Sequence, residues 1–274
     1  MAQILKKTGE RVVPEKIRTK EEYLQVLRHT YPYTYVKGEI SGESNVLEVG
    51  FGEGYGTNLL SQTCRHIVGI DIDEKVVNYA QKKYGAESCE FKYYDGHNIP
   101  FPDNFFDVVI SFQVIEHIAD DAGFISELHR VLKKGGKLYI TTPNKTTRLK
   151  PGQKPWNRYH IREYYPVELE TVLRRKFDDV NILGISATDE IHRIEYNRFH
   201  QGFLLSFALR LGFRQLIPKS IDPFIARFIS RIKGKKTSTS ENKDFSKIYS
   251  LEDFRIEKMN VKESLDLLGV CRKT

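Results

Sequence analysis

The chain has little cysteine. Its 3 residues in 274, Cys64, Cys89 and Cys271, lie far apart and form no CxxC pair. That excludes a disulfide framework and a thiolate zinc site, and points to a reducing, cytoplasmic compartment. Long apolar runs are missing too: no stretch reaches the roughly 18 consecutive apolar residues that span a bilayer. Met1 to Pro14 is charged and lacks the apolar centre of a secretory leader, so none is expected. Internal repeats are absent, and 19 glycines with 10 prolines exclude a collagen-like or low-complexity polymer. What remains is a globular balance of 40% hydrophobic and 29% charged residues, long enough for a large α/β domain with an appendage. The 43 basic and 36 acidic side chains give a net charge of +7, which permits an anionic partner without requiring one.

After a basic, proline-punctuated arm, Tyr23, Leu24, Leu27 and Tyr31 recur at helical spacing and predict a helix over 20–37. A strand–helix rhythm follows. Asn45–Val49, His66–Ile70, Cys89–Tyr94, Phe105–Phe112 and Lys137–Thr142 read as strands. Gly56–Gln62, Glu74–Tyr84 and Asp120–Leu132 read as the helices between them. Such alternation implies a mostly parallel sheet covered on both faces, a three-layer α/β fold of Rossmann-like type. Further on, Pro166–Phe177 predicts a helix, and Val180–Ile185 and Leu265–Cys271 predict strands. Between them, residues 190–245 read as a helical, basic insertion. Ile221, Phe224, Ile225, Phe228, Ile229 and Ile232 make one helical face there, backed by Arg227, Arg231 and Lys233. The organisation expected is an arm over 1–37, a core over 38–189, the insertion over 190–245 and a return to the core over 246–274.

Five segments carry the chemistry. The first is Glu48-Val-Gly50-Phe-Gly52-Glu-Gly54-Tyr-Gly56, a strand running into a glycine turn and a helix, where a ligand can approach the main chain. A nicotinamide-dependent oxidoreductase shares such a turn, but GxGxxG counted from Gly50 needs glycine where Tyr55 stands. The second is Asp71, which ends the next strand about 20 residues on, where a carboxylate accepts ribose hydroxyls. The third is Asp95-Gly96-His97 after the third strand. The fourth runs from Asp107 through Gln113 to Glu116-His117, and the fifth is Arg130 to Ile140 around Gly135-Gly136.

In this order the segments resemble the class I S-adenosylmethionine (SAM)-dependent methyltransferases, and IPFPDNFFD with Glu116-His117-Ile118 looks like their bacterial "EHI" branch. The resemblance covers roughly residues 28–185. It implies a seven-stranded sheet with an antiparallel last strand, and SAM as cofactor, leaving S-adenosylhomocysteine. It also implies that Glu48, Gly50, Gly52 and Gly54 line the methionine part, that Asp71 binds the ribose and that Ile72 packs on the adenine. Asp95 would accept from the adenine amine, Gly96 and His97 would offer backbone contacts, and Gln113 would lie beside the methionine end.

A sulfonium methyl needs only an aligned acceptor, but an oxygen acceptor must also lose a proton, and histidine is the natural base. His117 after the fourth strand and His160 after the fifth are the candidates. No acidic cluster has metal-ligand spacing in the sequence, so no metal is expected. Ser111-Phe-Gln113-Val stands where nucleic-acid amino-methyltransferases carry Asn/Asp-Pro-Pro-Tyr/Phe, which argues against a nucleic-acid acceptor. The aromatic and basic stretch Trp156 to Tyr164 suits a sugar ring or an anionic head group. The expectation is therefore O-methylation of a sugar or a glycan- or lipid-linked acceptor. A small-metabolite or quinone-type acceptor is the alternative, and a polyanion-binding module that keeps a degenerate cofactor fold is the non-enzymatic rival. The basic helix over 221–236 either touches an anionic membrane or packs on the core or on another subunit.

Overall fold

The computed structural model describes residues 17–155, 157, 159–198 and 244–274. The basic helix expected over 221–236, together with Trp156 and Arg158, lies outside them.

Helix α1 (Lys20–Lys37) starts where the Thr19 side chain accepts from the Glu22 N–H. Then come β1 (Asn45–Val49), α2 (Tyr55–Ser61), β2 (His66–Asp71), α3 (Glu74–Tyr84), β3 (Cys89–Tyr93) and β4 (Phe106–Phe112). Asp73 and Asp120 cap α3 and α4 (Asp121–Val131) through their carboxylates, which is why those helices begin where the acidic residues stand. The remaining elements are β5 (Leu132–Pro143), a single-turn α5 (Lys145–Arg148), α6 (Pro166–Leu173), β6 (Asp179–Ala187), β7 (Phe254–Glu257) and β8 (Asp266–Arg272). Residues 189–198 are helical.

Among the described residues the sheet has 8 strands in the order β3-β2-β1-β4-β5-β8-β6-β7. Strands β1 to β5 pair in parallel, and β8 inserts antiparallel between β5 and β6. Seven of these strands match the expectation. The eighth, β7, pairs antiparallel with the outer side of β6. Its FRIE sequence is too short for alternation to stand out, and only Phe254 of the four is buried. Strand β5 also starts earlier than expected, at Leu132, across an irregular register opposite Phe106 and Val108.

Alternate residues of each strand feed two cores. Val46, Ile67 and Val108 face α1, α2 and α3, whereas Leu47, Val68 and Val109 face α4 and α6. Buried side chains such as Leu24, Leu60, Ile125 and Leu128 each contribute roughly 1.5–3 kcal/mol of burial. Ile191, in the helical residues 189–198, belongs to the first of these cores. Chain order reverses between β1 and β4, and open α/β sheets form a ligand crevice beyond the carboxyl ends of their strands at such a point.

Candidate active site

A cleft of about 690 Å³ opens there, within the range of small-molecule sites. Gly50, Gly52, Asp71 and Ile72 line it, as do Asp95, Gly96 and His97, with Gln113 and His117 further along. Nine residues singled out in the sequence thus share one cavity. Glu48, Gly54 and His160 do not line it.

The strand ends fix the first group. Asp71 reaches back to the glycine turn: one carboxylate oxygen accepts from Gly52 N–H at 3.2 Å and the other from Asp73 N–H at 3.1 Å. Asp95 accepts from the N–H groups of His97 and Asn98, both at 2.8 Å, and these bonds hold its carboxyl below the usual range. Ile72 is 64% exposed although it is a large aliphatic residue, so it presents an uncovered apolar face to the cleft. Gly50 has φ +80°, and a Cβ there would run into Val114, so the turn requires glycine.

Glu48 lies one layer down, with no exposure. Its two oxygens accept hydroxyl protons from Tyr33 and Thr57 at 2.5 Å each. Burial pushes its carboxyl up to about 7, and those two bonds pull it back only in part. Glu48 therefore ties α1 and α2 to β1 instead of facing the cleft. Gly54 is buried against Ala80 and Phe91 at the start of α2, and a Cβ on Gly56 would overlap the Tyr33 ring. Tyr33 does line the cleft, with His29, Tyr55, Phe112 and Tyr159. Of the Tyr31-Pro-Tyr33-Thr-Tyr35 patch, Tyr31 packs on Phe254 and Tyr35 on Tyr139. Desolvation, followed by the charge of Arg28, holds the His29 imidazole down at about 4, so it is neutral at physiological pH.

At the other end, Gln113 ends β4 with φ +58°, a left-handed conformation that is costly for a non-glycine residue. Its amide donates to Thr141 Oγ1 at 3.3 Å and to Asp266 at 3.4 Å. Asp266 in turn binds Arg28 through both carboxylate oxygens, and Arg28 also binds Glu195 at 2.8 Å. All three charged groups are buried.

His117 Nδ1 lies 3.0 Å from the Tyr159 carbonyl, which can only accept. That nitrogen therefore carries the proton, and the basic lone pair falls on Nε2. His160 stands edge-on to His117, with ring centroids 4.9 Å apart, and its Nδ1 meets Glu163 at 2.9 Å. Glu116 is buried, accepts from Thr142 at 3.0 Å, and is pushed by burial up to about 8. The sequence offers His117 and His160 as separate candidates, and the fold sets their rings edge to face and adds Glu116.

An acidic side chain at the end of β2 and another after β3, a glycine turn that lines the cleft through Gly50 and Gly52, and an exposed aliphatic surface between them fit an adenosyl cofactor with a polar tail. The chain matches the methyltransferase domain family over residues 47–140. A probable S-adenosylmethionine-dependent methyltransferase of Mycolicibacterium smegmatis is 37% identical over 180 residues, 65% of this chain and 67% of that one. The protein belongs to the SAM-dependent methyltransferases, and SAM is its cofactor. It spans about two thirds of that relative's length. A fatty-acid O-methyltransferase of the same organism is 31% identical over 113 residues, 40% of this chain and 41% of the relative. Among solved structures, a SAM-dependent methyltransferase of Thermotoga maritima, described as a possible histamine N-methyltransferase, superposes with a TM-score of 0.56 at 15% identity. The alignment covers 93% of this chain and 94% of that one, and it speaks for the fold alone. Among the described residues, no helix is long and apolar enough to cross a membrane.

Proposed function

We propose that the protein methylates a hydroxyl of a sugar or of a glycan- or lipid-linked acceptor, which enters the cleft at the His117 end. The observation that carries this reading is continuity: Asp71 and Asp95 at one end and His117 at the other line the same cavity. In this reading Asp71 takes the ribose hydroxyls, Ile72 packs on the adenine, and Asp95 accepts from its amine beside the Gly96 and His97 backbone. Gly50, Gly52 and Gln113 flank the methionine part, while Glu48 and Gly54 act from below by fixing Tyr33 and α2. When bound, SAM supplies a methyl group already activated on a sulfonium. The chain then has to align the acceptor, an effect worth several kcal/mol. It also has to accept a proton, and His117 Nε2 is the atom that does so, with His160 positioning it.

A second reading, a small-metabolite or quinone-type acceptor, draws support from the rings of Tyr33, Tyr55, Phe112 and Tyr159 in the cleft wall. The relative named as a fatty-acid O-methyltransferase is consistent with an apolar acceptor. Contact with an anionic membrane through 221–236 rests on the sequence alone, and co-sedimentation with anionic liposomes at low salt tests it.

The deciding experiment is transfer from methyl-labelled SAM into a lysate of the source organism, separated into lipid, polysaccharide, nucleic-acid, protein and small-molecule fractions. Asp71→Ala is the control, expected to bind S-adenosylhomocysteine roughly thirtyfold more weakly through loss of charge-assisted hydrogen bonds. Label in the lipid or polysaccharide fraction, lost with the control, supports the glycan reading. Label confined to small molecules replaces it with the second.

A further inference from the structure

We propose that Glu116, His117 and His160 form a binding site for a divalent transition-metal cation at the acceptor end of the cleft. One donor atom from each lies within 4.8 Å of the others. Bonds of about 2.0–2.1 Å to a tetrahedral zinc ion place its donors about 3.4 Å apart, so side-chain rotations of roughly 1 Å close the set.

The surroundings of the two imidazoles point to coordination. A metal-binding histidine gives its other ring nitrogen to a carboxylate or a backbone carbonyl, which fixes the ring and raises its basicity. Both histidines have such a partner: His160 Nδ1 has Glu163, and His117 Nδ1 has the Tyr159 carbonyl. Nε2 is thereby assigned to the cation in each. Glu163 is itself buried and held by Arg148 at 3.2 Å. The segment carrying His160 is also docked in place, because Ile161 N–H donates to the Glu116 carbonyl at 2.9 Å and Arg162 binds Asp121 and the Ala119 carbonyl. The backbone that carries the site is therefore held in place before any ligand arrives.

Two imidazoles and one carboxylate favour zinc, or cobalt as its spectroscopic substitute, over magnesium or calcium. Three protein ligands leave a coordination position open, and His117 turns the site toward the cleft. The proposal deepens the O-methylation reading. With a cation bound, His117 would be a ligand, and an acceptor hydroxyl at the open position would lose its proton to solvent; its oxygen would then bond the methyl carbon as that carbon's bond to the sulfonium sulfur breaks, leaving S-adenosylhomocysteine.

The test is titration of the full-length, chelator-stripped protein with zinc against a chromophoric zinc indicator, repeated with cobalt to read the visible absorption of bound metal. One zinc per chain is expected. His160→Ala, and His160→Gln should the first variant fold poorly, abolish that binding. Glu163→Gln weakens it about tenfold or more by freeing the ring. His66→Asn, which breaks a surface His–Glu pair elsewhere, leaves it unchanged. Weak or substoichiometric binding by the wild type, or binding that survives loss of His160, overturns the proposal. S-adenosylhomocysteine affinity and the acceptor fraction, measured on the same samples, report on the methyltransferase reading separately.

Discussion

The two ends of the cleft are built in opposite ways. At the cofactor end, each group sits at or just after a strand end, and its partners are close in sequence. Gly52 and Asp71 are 19 residues apart, Asp95 and His97 two. Where the methionine part gives way to the acceptor end, Gln113 meets Asp266 across 153 residues and Arg28 meets Asp266 across 238, and at the acceptor end itself His117 meets Tyr159 across 42. The cofactor end is thus a local motif repeated along the strands, whereas the acceptor end exists only once the whole sheet has closed.

That contrast predicts that damage at the acceptor end spares cofactor binding. His117→Ala should lower turnover by about 10²–10⁴-fold, the usual worth of an acid–base group, while calorimetry finds S-adenosylhomocysteine affinity unchanged. Comparable losses in both would erase the distinction between the ends. Arg28→Ala leaves Asp266 without its cation in the interior, while Glu195 keeps Arg198, and should cost about 3–5 kcal/mol, read from the denaturant midpoint.

Glu48 ties α1 and α2 to β1 beneath the cleft, and its effect has a definite sign. Its carboxyl titrates near 7 in the folded protein against an ordinary 4.5 in the unfolded chain. The folded state therefore holds the proton more tightly. The associated stability is complete below about pH 4.5 and drains away as pH rises through 7, at up to about 1.4 kcal/mol per unit. Glu48→Gln should flatten that part of a pH–stability curve, and an unchanged slope would count against a buried, protonated carboxyl. The smallest effect belongs to the cofactor end. Ile72→Ala removes an apolar surface open to solvent in the free protein, so it should leave stability alone and weaken S-adenosylhomocysteine binding about fivefold, near 1 kcal/mol.

The same contrast explains what could be read from the sequence. The order of strands and helices up to β6, apart from the single-turn α5, was legible because hydrophobic period is a local signal, and Gly50 and Asp71 because glycine spacing and a strand end are local too, whereas Ile72 came only with the family resemblance. Glu48 was legible as a site residue but not as a buried tie, since nothing in the sequence says that Tyr33 and Thr57 will meet it. Tyr33 has a signal in hindsight: Gly56 is a glycine because the Tyr33 ring lies on it. His117 and His160 were found one by one. Their edge-to-face contact, and the approach of Glu116, depend on Ile161 and Arg162 pairing with the Glu116 backbone, a contact with no sequence signature. Strand β7 was missed because four residues carry too little pattern.

That overlooked strand bears on how the molecules behave toward one another. A sheet ends in two rims of unpaired peptide groups, and a long flat rim invites another chain to add on. Here the rims are β3, of 5 residues, and β7, of 4. Without β7 the outer rim would be the 9-residue β6, whose Ile185 and Ala187 are now covered. A segment remote from the chemistry thus covers four residues of that rim, and deleting residues 254–257 should surface first as aggregation in storage, before any change in catalysis.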